Sequence, residues 1–172
     1  MAHTSIRGGV FALVGVAWLT TLAAAQPIPE DVVIKLERTA CFGACPVYNV
    51  TIDARGNVTY NGTQFVRIAG RQTDRIPVSR VGALLETIDR IGFFELNDKY
   101  RQLITDLPTT FVTVTRGGRT KVIEDYFGAP TSLKDFERQI DEAAQTARWI
   151  VSHPSMKLAT PGAGMPLATS AE

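Results

Sequence analysis

Histidine is nearly missing from this chain: its two residues, His3 and His153, stand close to the ends, and none falls within the stretch that carries a core pattern. Triads built on an imidazole base and His-rich metal sites therefore find no support. Cysteine is as scarce, with two residues, too few for a disulfide-dense scaffold. An excess of charge of either sign is lacking as well, since 18 Lys and Arg stand against 17 Asp and Glu for a formal net charge of +1. With no overall field to hold a polyanion, nucleic acid is not expected as a partner. A Gly-rich phosphate loop, a nucleophile elbow and a metalloprotease helix motif are all absent, so no conventional hydrolase and no cofactor is expected.

What is present is 172 residues, 45% of them hydrophobic and 20% charged, enough for one well-packed domain and short for two. Residues 1–25 contain no acid, carry Arg7, and continue into the apolar run Val10 to Leu22 and then Ala23-Ala24-Ala25. This pattern is that of a secretory signal peptide cut after Ala25. An uncleaved anchor is the alternative, but the run is interrupted by Gly15 and Thr20 and is shorter than the roughly 20 apolar residues that span a bilayer. Once the signal is removed, no membrane association is expected and the remainder is formally neutral. Residues 152–172 hold Pro154, Pro161 and Pro166 and no aromatic side chain, a composition that buries too little apolar area to offset ordering entropy. A disordered tail is expected there, leaving residues 26–151 as a single domain.

Within that domain Val32, Ile34 and Leu36 alternate with polar residues, as do Tyr48, Val50 and Ile52, which is the period of half-buried strands. Ala54-Arg55-Gly56-Asn57 reads as a turn leading into a short strand, Val58 to Tyr60. Asn61-Gly62 reads as a second turn, followed by a strand from Gln64 to about Ala69. From Pro77 to Ile91 the period becomes helical through Val81, Leu84, Leu85 and Ile88, with Gly92 at the C-terminal cap position. Thr109 to Thr115 and Thr120 to Tyr126 form a hairpin around Gly117-Gly118, and Pro130 to Val151 carries Leu133, Phe136, Ile140 and Ala147 at helical spacing. The expected fold is α+β: a mainly antiparallel sheet of about six strands, in the order of four strands, a helix, two strands and a helix, with both helices on one face.

The sharpest local signal is Cys41-Phe42-Gly43-Ala44-Cys45-Pro46-Val47-Tyr48. Two cysteines with three residues between them can bridge only across a sharp turn, for which Gly43 and Pro46 are suited, and an exported pair is expected to be oxidised. A structural bridge fixing the loop is the preferred reading. A redox-active pair is the alternative, although Arg38 is the only nearby cation and no helix start is adjacent to stabilise a thiolate. Zinc finds half of a tetrahedral ligand set here, and haem attachment would need a different spacing followed by His.

Through this motif the sequence resembles an exported bacterial family, domain of unknown function 6438. The supporting segments are the Gly56 to Gly62 hairpin, Thr105-Asp106-Leu107-Pro108 and Gly128-Ala129-Pro130, so the likeness covers about residues 30–150. It implies a single exported domain and brings no activity, cofactor or catalytic residue.

Three further sets of residues are candidates for contact. If one strand extends from Gln64 to Ile76, Arg67, Arg71 and Arg75 share a face and suit a phosphate, sulfate or uronic acid, a solvated basic face being the simpler account. Tyr48, Tyr60 and Tyr126 are candidates for a ligand surface, with core packing as the alternative, and Asp106 joins them, the simpler account being a turn residue whose side chain bonds nearby backbone N–H groups. Among acids, Glu124 and Asp125 point to opposite faces of one strand and make no ready pair. The leading functional reading is a non-enzymatic module that binds a protein or cell-envelope ligand, followed by a thiol-disulfide protein using Cys41 and Cys45, and then by an enzyme with a carboxylate and Arg site.

Overall fold

In a computed structural model, residues 27–150 are described; the expected signal peptide and tail lie outside them. The alternating segments form strands β1 (Val33–Arg38), β2 (Val47–Asp53) and β3 (Asn57–Gln64), followed by β4 (Gly70–Arg75) and helix α1 (Val78–Arg90). A 3₁₀ turn at Phe93–Glu95 leads to the two-residue strand β5 (Lys99–Tyr100), then β6 (Thr110–Arg116), β7 (Arg119–Asp125) and helix α2 (Thr131–Ala144). The sheet has seven strands in the order β4-β3-β2-β1-β6-β7-β5. Every pairing is antiparallel except that of β5 with β7. The sequence suggests about six strands; the seventh, β5, is too short to show an alternation of its own.

The core lies on one face of the sheet. Ile34 and Leu36 of β1, Val50 and Ile52 of β2, Val58 and Tyr60 of β3, Val112 and Val114 of β6 and Ile123 of β7 are all buried there. They share parity through the register, which pairs Leu36 with Val50 and with Val112. Onto them α1 lays Val81, Leu84, Leu85 and Ile88, and α2 lays Leu133, Phe136, Ile140 and Ala144. The opposite face is polar and half-exposed, with Thr51, Thr59 and Thr113 among its residues.

Helix α1 ends as its glycine requires, with Gly92 at φ 60° and its N–H donating to the Asp89 carbonyl at 3.1 Å. Helix α2 ends earlier than its apolar pattern implies. Gln145 adopts φ 55°, and a 3₁₀ turn at Thr146–Arg148 swings Trp149 onto the Tyr60 ring, with centroids 4.8 Å apart. Helix α2 thus crosses the sheet: Lys134 near its start binds Asp125 of β7, Asp141 meets β1 and β2, and Arg148 just beyond its end pairs with Asp74 of β4.

The Asn61-Gly62 turn is corrected. Both residues lie inside β3, Asn61 between Asn49 and Arg71, Gly62 opposite Gly70. The chain reverses instead through residues 65–69, where Phe65 takes a left-handed φ of 52°. Asn-Gly tolerates a turn but does not impose one, and here both neighbouring strands are available to pair. Gly62 is needed for space: a Cβ at this position would collide with the Tyr60 hydroxyl and lie 2.8 Å from the Ile68 carbonyl oxygen. The Tyr60 hydroxyl is itself buried without a hydrogen-bond partner. Gly62→Ala is therefore expected to cost about 1–3 kcal/mol. Tyr60→Phe alone should be neutral or mildly stabilising, because it removes an unsatisfied hydroxyl. In the double variant Phe should recover part of the alanine penalty; chemical denaturation of the four proteins measures the coupling, and strict additivity would contradict the contact.

Candidate functional site

Three loops meet at the end of the sheet where β1 and β7 finish and β2 and β6 begin: residues 39–46, 101–109 and 126–130. The first two are hydrogen-bonded together. Thr39 N–H donates to the Thr109 carbonyl at 3.0 Å, Thr109 N–H to the Thr39 hydroxyl at 2.9 Å, and Phe42 N–H to the Asp106 carbonyl at 3.3 Å. The third joins through Phe127 N–H, which donates to the Tyr100 carbonyl at 3.2 Å, and the Tyr126 hydroxyl, which accepts from Leu107 N–H at 3.4 Å.

Cys41 and Cys45 form a disulfide with their Cα atoms 5.7 Å apart, closing the tip of the first loop. Both residues are half-buried, so the bridge is more open to solvent than a wholly interior crosslink. Between them Phe42 is 89% exposed. On the adjoining loop Leu103 is fully exposed, and Ile104, Leu107 and Phe127 are also exposed. An open hollow of about 500 Å³ lies on this side, lined by residues 101–106 together with Tyr126.

Beneath the loops lies a polar cluster. Arg38 shares parity with Ile34 and Leu36, so its guanidinium emerges at the edge of the core, under α2. Its Nη2 donates to Asp141 Oδ2 at 2.8 Å, its Nη1 to the Thr110 hydroxyl at 3.1 Å and its Nε to the Tyr48 hydroxyl at 3.0 Å, while Glu137 Oε2 lies 3.8 Å away. Tyr48 in turn donates to Asp141 Oδ1 at 2.8 Å. Burial and then the Asp141 charge push the Tyr48 phenol above its ordinary range, so it stays protonated and able to donate. Burial works against the Arg38 charge, but Tyr48, Asp141 and Glu137 outweigh it and hold the guanidinium cationic.

The second half of the cluster joins α2 to β7. Asp125 Oδ2 accepts from Lys134 Nζ at 2.7 Å, while Asp125 Oδ1 and Glu137 Oε1 are both buried without partners. Burial pushes the Glu137 carboxyl up to about 7; Arg38 and Lys134 oppose this, and the neighbouring Asp125 charge reinforces it.

The sequence candidates separate in space. Cys41, Cys45, Asp106 and Tyr126 come together at the loop end. Asp106 is exposed at a left-handed φ of 74°, with its carboxylate accepting from the Thr105 hydroxyl at 3.0 Å. Tyr48 belongs to the polar cluster, and Tyr60 is buried between Tyr48 and Trp149 in the core, so neither offers a ring to a ligand surface. Arg71 and Arg75 share a face of β4, but Arg67 lies in the turn before it, so the expected row of three is broken. Glu124 and Asp125 do face opposite ways: Glu124 pairs with Arg101 and Asp125 with Lys134. Glu137, Asp141 and Arg38 were not among the sequence candidates. Their signal was an acid at each of two positions on the apolar stripe of α2, beside Phe136 and Ile140, and an Arg at the next core-facing position of β1. Among the described residues no group of three or more His, Cys, Asp or Glu is placed to hold a metal ion.

A single α+β domain with a disulfide-closed loop and a polar cluster under it defines the class. The chain belongs to the family described as domain of unknown function (DUF6438), whose profile matches residues 32–144. A comparison with curated proteins finds no match.

The Glu137 carboxyl has a definite linkage sign. The folded chain keeps a proton that the unfolded chain releases near the ordinary value of 4.5, so stability falls as pH rises from there to about 7 and levels off above. The loss has a ceiling of about 3 kcal/mol. Glu137→Gln is expected to remove this slope, gaining on the parent at pH 8 relative to pH 5. Urea denaturation across that range checks it; parallel pH profiles for the two proteins would refute the assignment.

Proposed function

We propose that the protein is an exported, non-enzymatic module that binds another protein through the loop end. The carrying observation is Phe42, almost fully exposed within the disulfide-closed tip of its loop, with Leu103, Ile104, Leu107 and Phe127 exposed on the adjoining loops. Apolar side chains gathered on one surface and rimmed by polar groups such as Arg101 and Asp106 have the composition of a protein-contact patch, in which an aromatic anchor contributes most of the affinity. The disulfide holds Phe42 in place before contact, which lowers the ordering cost of association. Export is supported by the oxidised cysteine pair and by the pattern of residues 1–25. Among the described residues no helix is long and apolar enough to cross a membrane.

Affinity capture from an envelope extract with the C-terminally tagged chain, run beside Phe42→Ser and Leu103→Ser, tests both parts. A specific partner retained by the parent and lost at least tenfold from each variant is the expected result, together with an intact mass lacking residues 1–25. Equal capture by all three proteins overturns the patch, and a mass beginning at Met1 overturns cleavage.

The half-exposed bridge favours one second reading, thiol-disulfide exchange at Cys41 and Cys45. Two glutathione thiols would reduce it, yielding the protein dithiol and glutathione disulfide. Against exchange, the Arg38 guanidinium is committed to Asp141, and no helix begins at either cysteine to stabilise a thiolate. Titration in glutathione buffers with alkylation trapping is expected to leave the bridge intact across the range; half-reduction near the poise of cellular oxidoreductases would reverse the order of the two readings.

A further inference from the structure

Far from the loop end, the sheet terminates in an edge strand of a different character. β4 pairs with β3 alone, so the outer row of its backbone N–H and C=O groups has no strand beside it among the described residues. At six residues it is long enough to template another strand, unlike β5 at the opposite end of the sheet with two. Long exposed edges invite strand addition.

The edge is also positively charged. Arg71 and Arg75 lie on the open face, in register with Asn61 and Asn57, about 13 Å apart at 3.3 Å per residue. Arg67 flanks one end from the turn before β4. Arg55 flanks the other, because Gly56, next to it, accepts the Ile76 N–H at 2.8 Å. None of these four guanidinium groups makes an ion pair among the described residues. The acids close by are already engaged: Asp53 accepts from Arg55 N–H, Asn57 N–H and the Asn57 side chain, and Asp74, on the other face of β4, is paired with Arg148.

We propose that β4 accepts an acidic, extended peptide segment by strand addition. An added strand repeats its side chains on each face every second residue, so carboxylates four residues apart on the open face reach Arg71 and Arg75 together. Its other face meets Gln72 and Asp74 and calls for polar residues. An anionic glycan would satisfy the arginines, but only a peptide backbone also satisfies the row of edge groups, and that decides between them. This surface is independent of the loop end and stands whether or not the Phe42 patch binds a partner.

Fluorescence anisotropy with a labelled ten-residue peptide alternating Glu and Thr tests it on the full chain. Binding is expected at low salt, weakening as ionic strength rises. Methylating the peptide's backbone nitrogens at alternate residues should weaken it at least tenfold, as should Arg71→Glu with Arg75→Glu. The milder pair Arg71→Gln and Arg75→Gln should weaken it in the same direction, and Phe42→Ser should leave it unchanged. Equal binding of the methylated peptide, or equal binding of an oligoglucuronate of matched charge, would mean charge attraction alone and overturn strand addition. No binding at all would mean that the arginines guard the edge, which overturns it too.

Discussion

The Arg38 guanidinium is the point on which the arrangement of this domain turns. It occupies the position where the apolar row Ile34, Leu36 would otherwise continue, at the end of the central strand. From there it binds one group on β2, one on β6 and one on α2. Those contacts fix the height at which α2 crosses the sheet. They also secure the roots of two loops, since Arg38 lies three residues before Cys41 and Thr110 begins the strand that follows the 101–109 segment. The loops that carry the exposed residues are thus rooted in a bonded network.

Such a network is not the cheapest way to fill that space. Buried ion pairs commonly do no better than apolar side chains of the same volume, whereas removing one partner strands the other at a cost of about 3–5 kcal/mol. What Arg38, Tyr48 and Asp141 contribute is direction: only one placement of α2 satisfies all of their hydrogen bonds. Apolar packing by Leu133, Phe136 and Ile140 would tolerate sliding or rotation of the helix with less penalty. Glu137 marks the limit of this solution, being buried so deeply beside Asp125 that its carboxyl holds a proton near neutral pH.

Much of this fold can be read in the sequence, because its strands obey a strict two-residue period and its helices a clear 3,4 spacing. The alternation through Val32, Ile34 and Leu36 and the stripe of Val81, Leu84, Leu85 and Ile88 leave few alternatives. The cysteine motif announces its own loop, since four-residue separation makes the bridge a local matter. The polar cluster is harder to see for the opposite reason: Arg38 and Asp141 are 103 residues apart, and nothing local reveals that they meet. Asn61-Gly62 illustrates a different failure. A dipeptide with strong turn preference was absorbed into a strand because hydrogen bonds to β2 and β4 and the close approach of Tyr60 outweigh a local preference.

The sheet order also has a consequence for how the chain is made. The four N-terminal strands form a meander of local pairings, yet β1, at its inner margin, finds its second neighbour in β6, whose Thr115 pairs with Val33 across some eighty residues of chain. As synthesis proceeds from the N-terminus, the meander can assemble early while one side of β1 stays open until β6 has been produced. Closing that seam completes the least local pairing in the sheet, of the kind that slows folding in general. Until β6 arrives, that open side of β1 is where another chain could take its place.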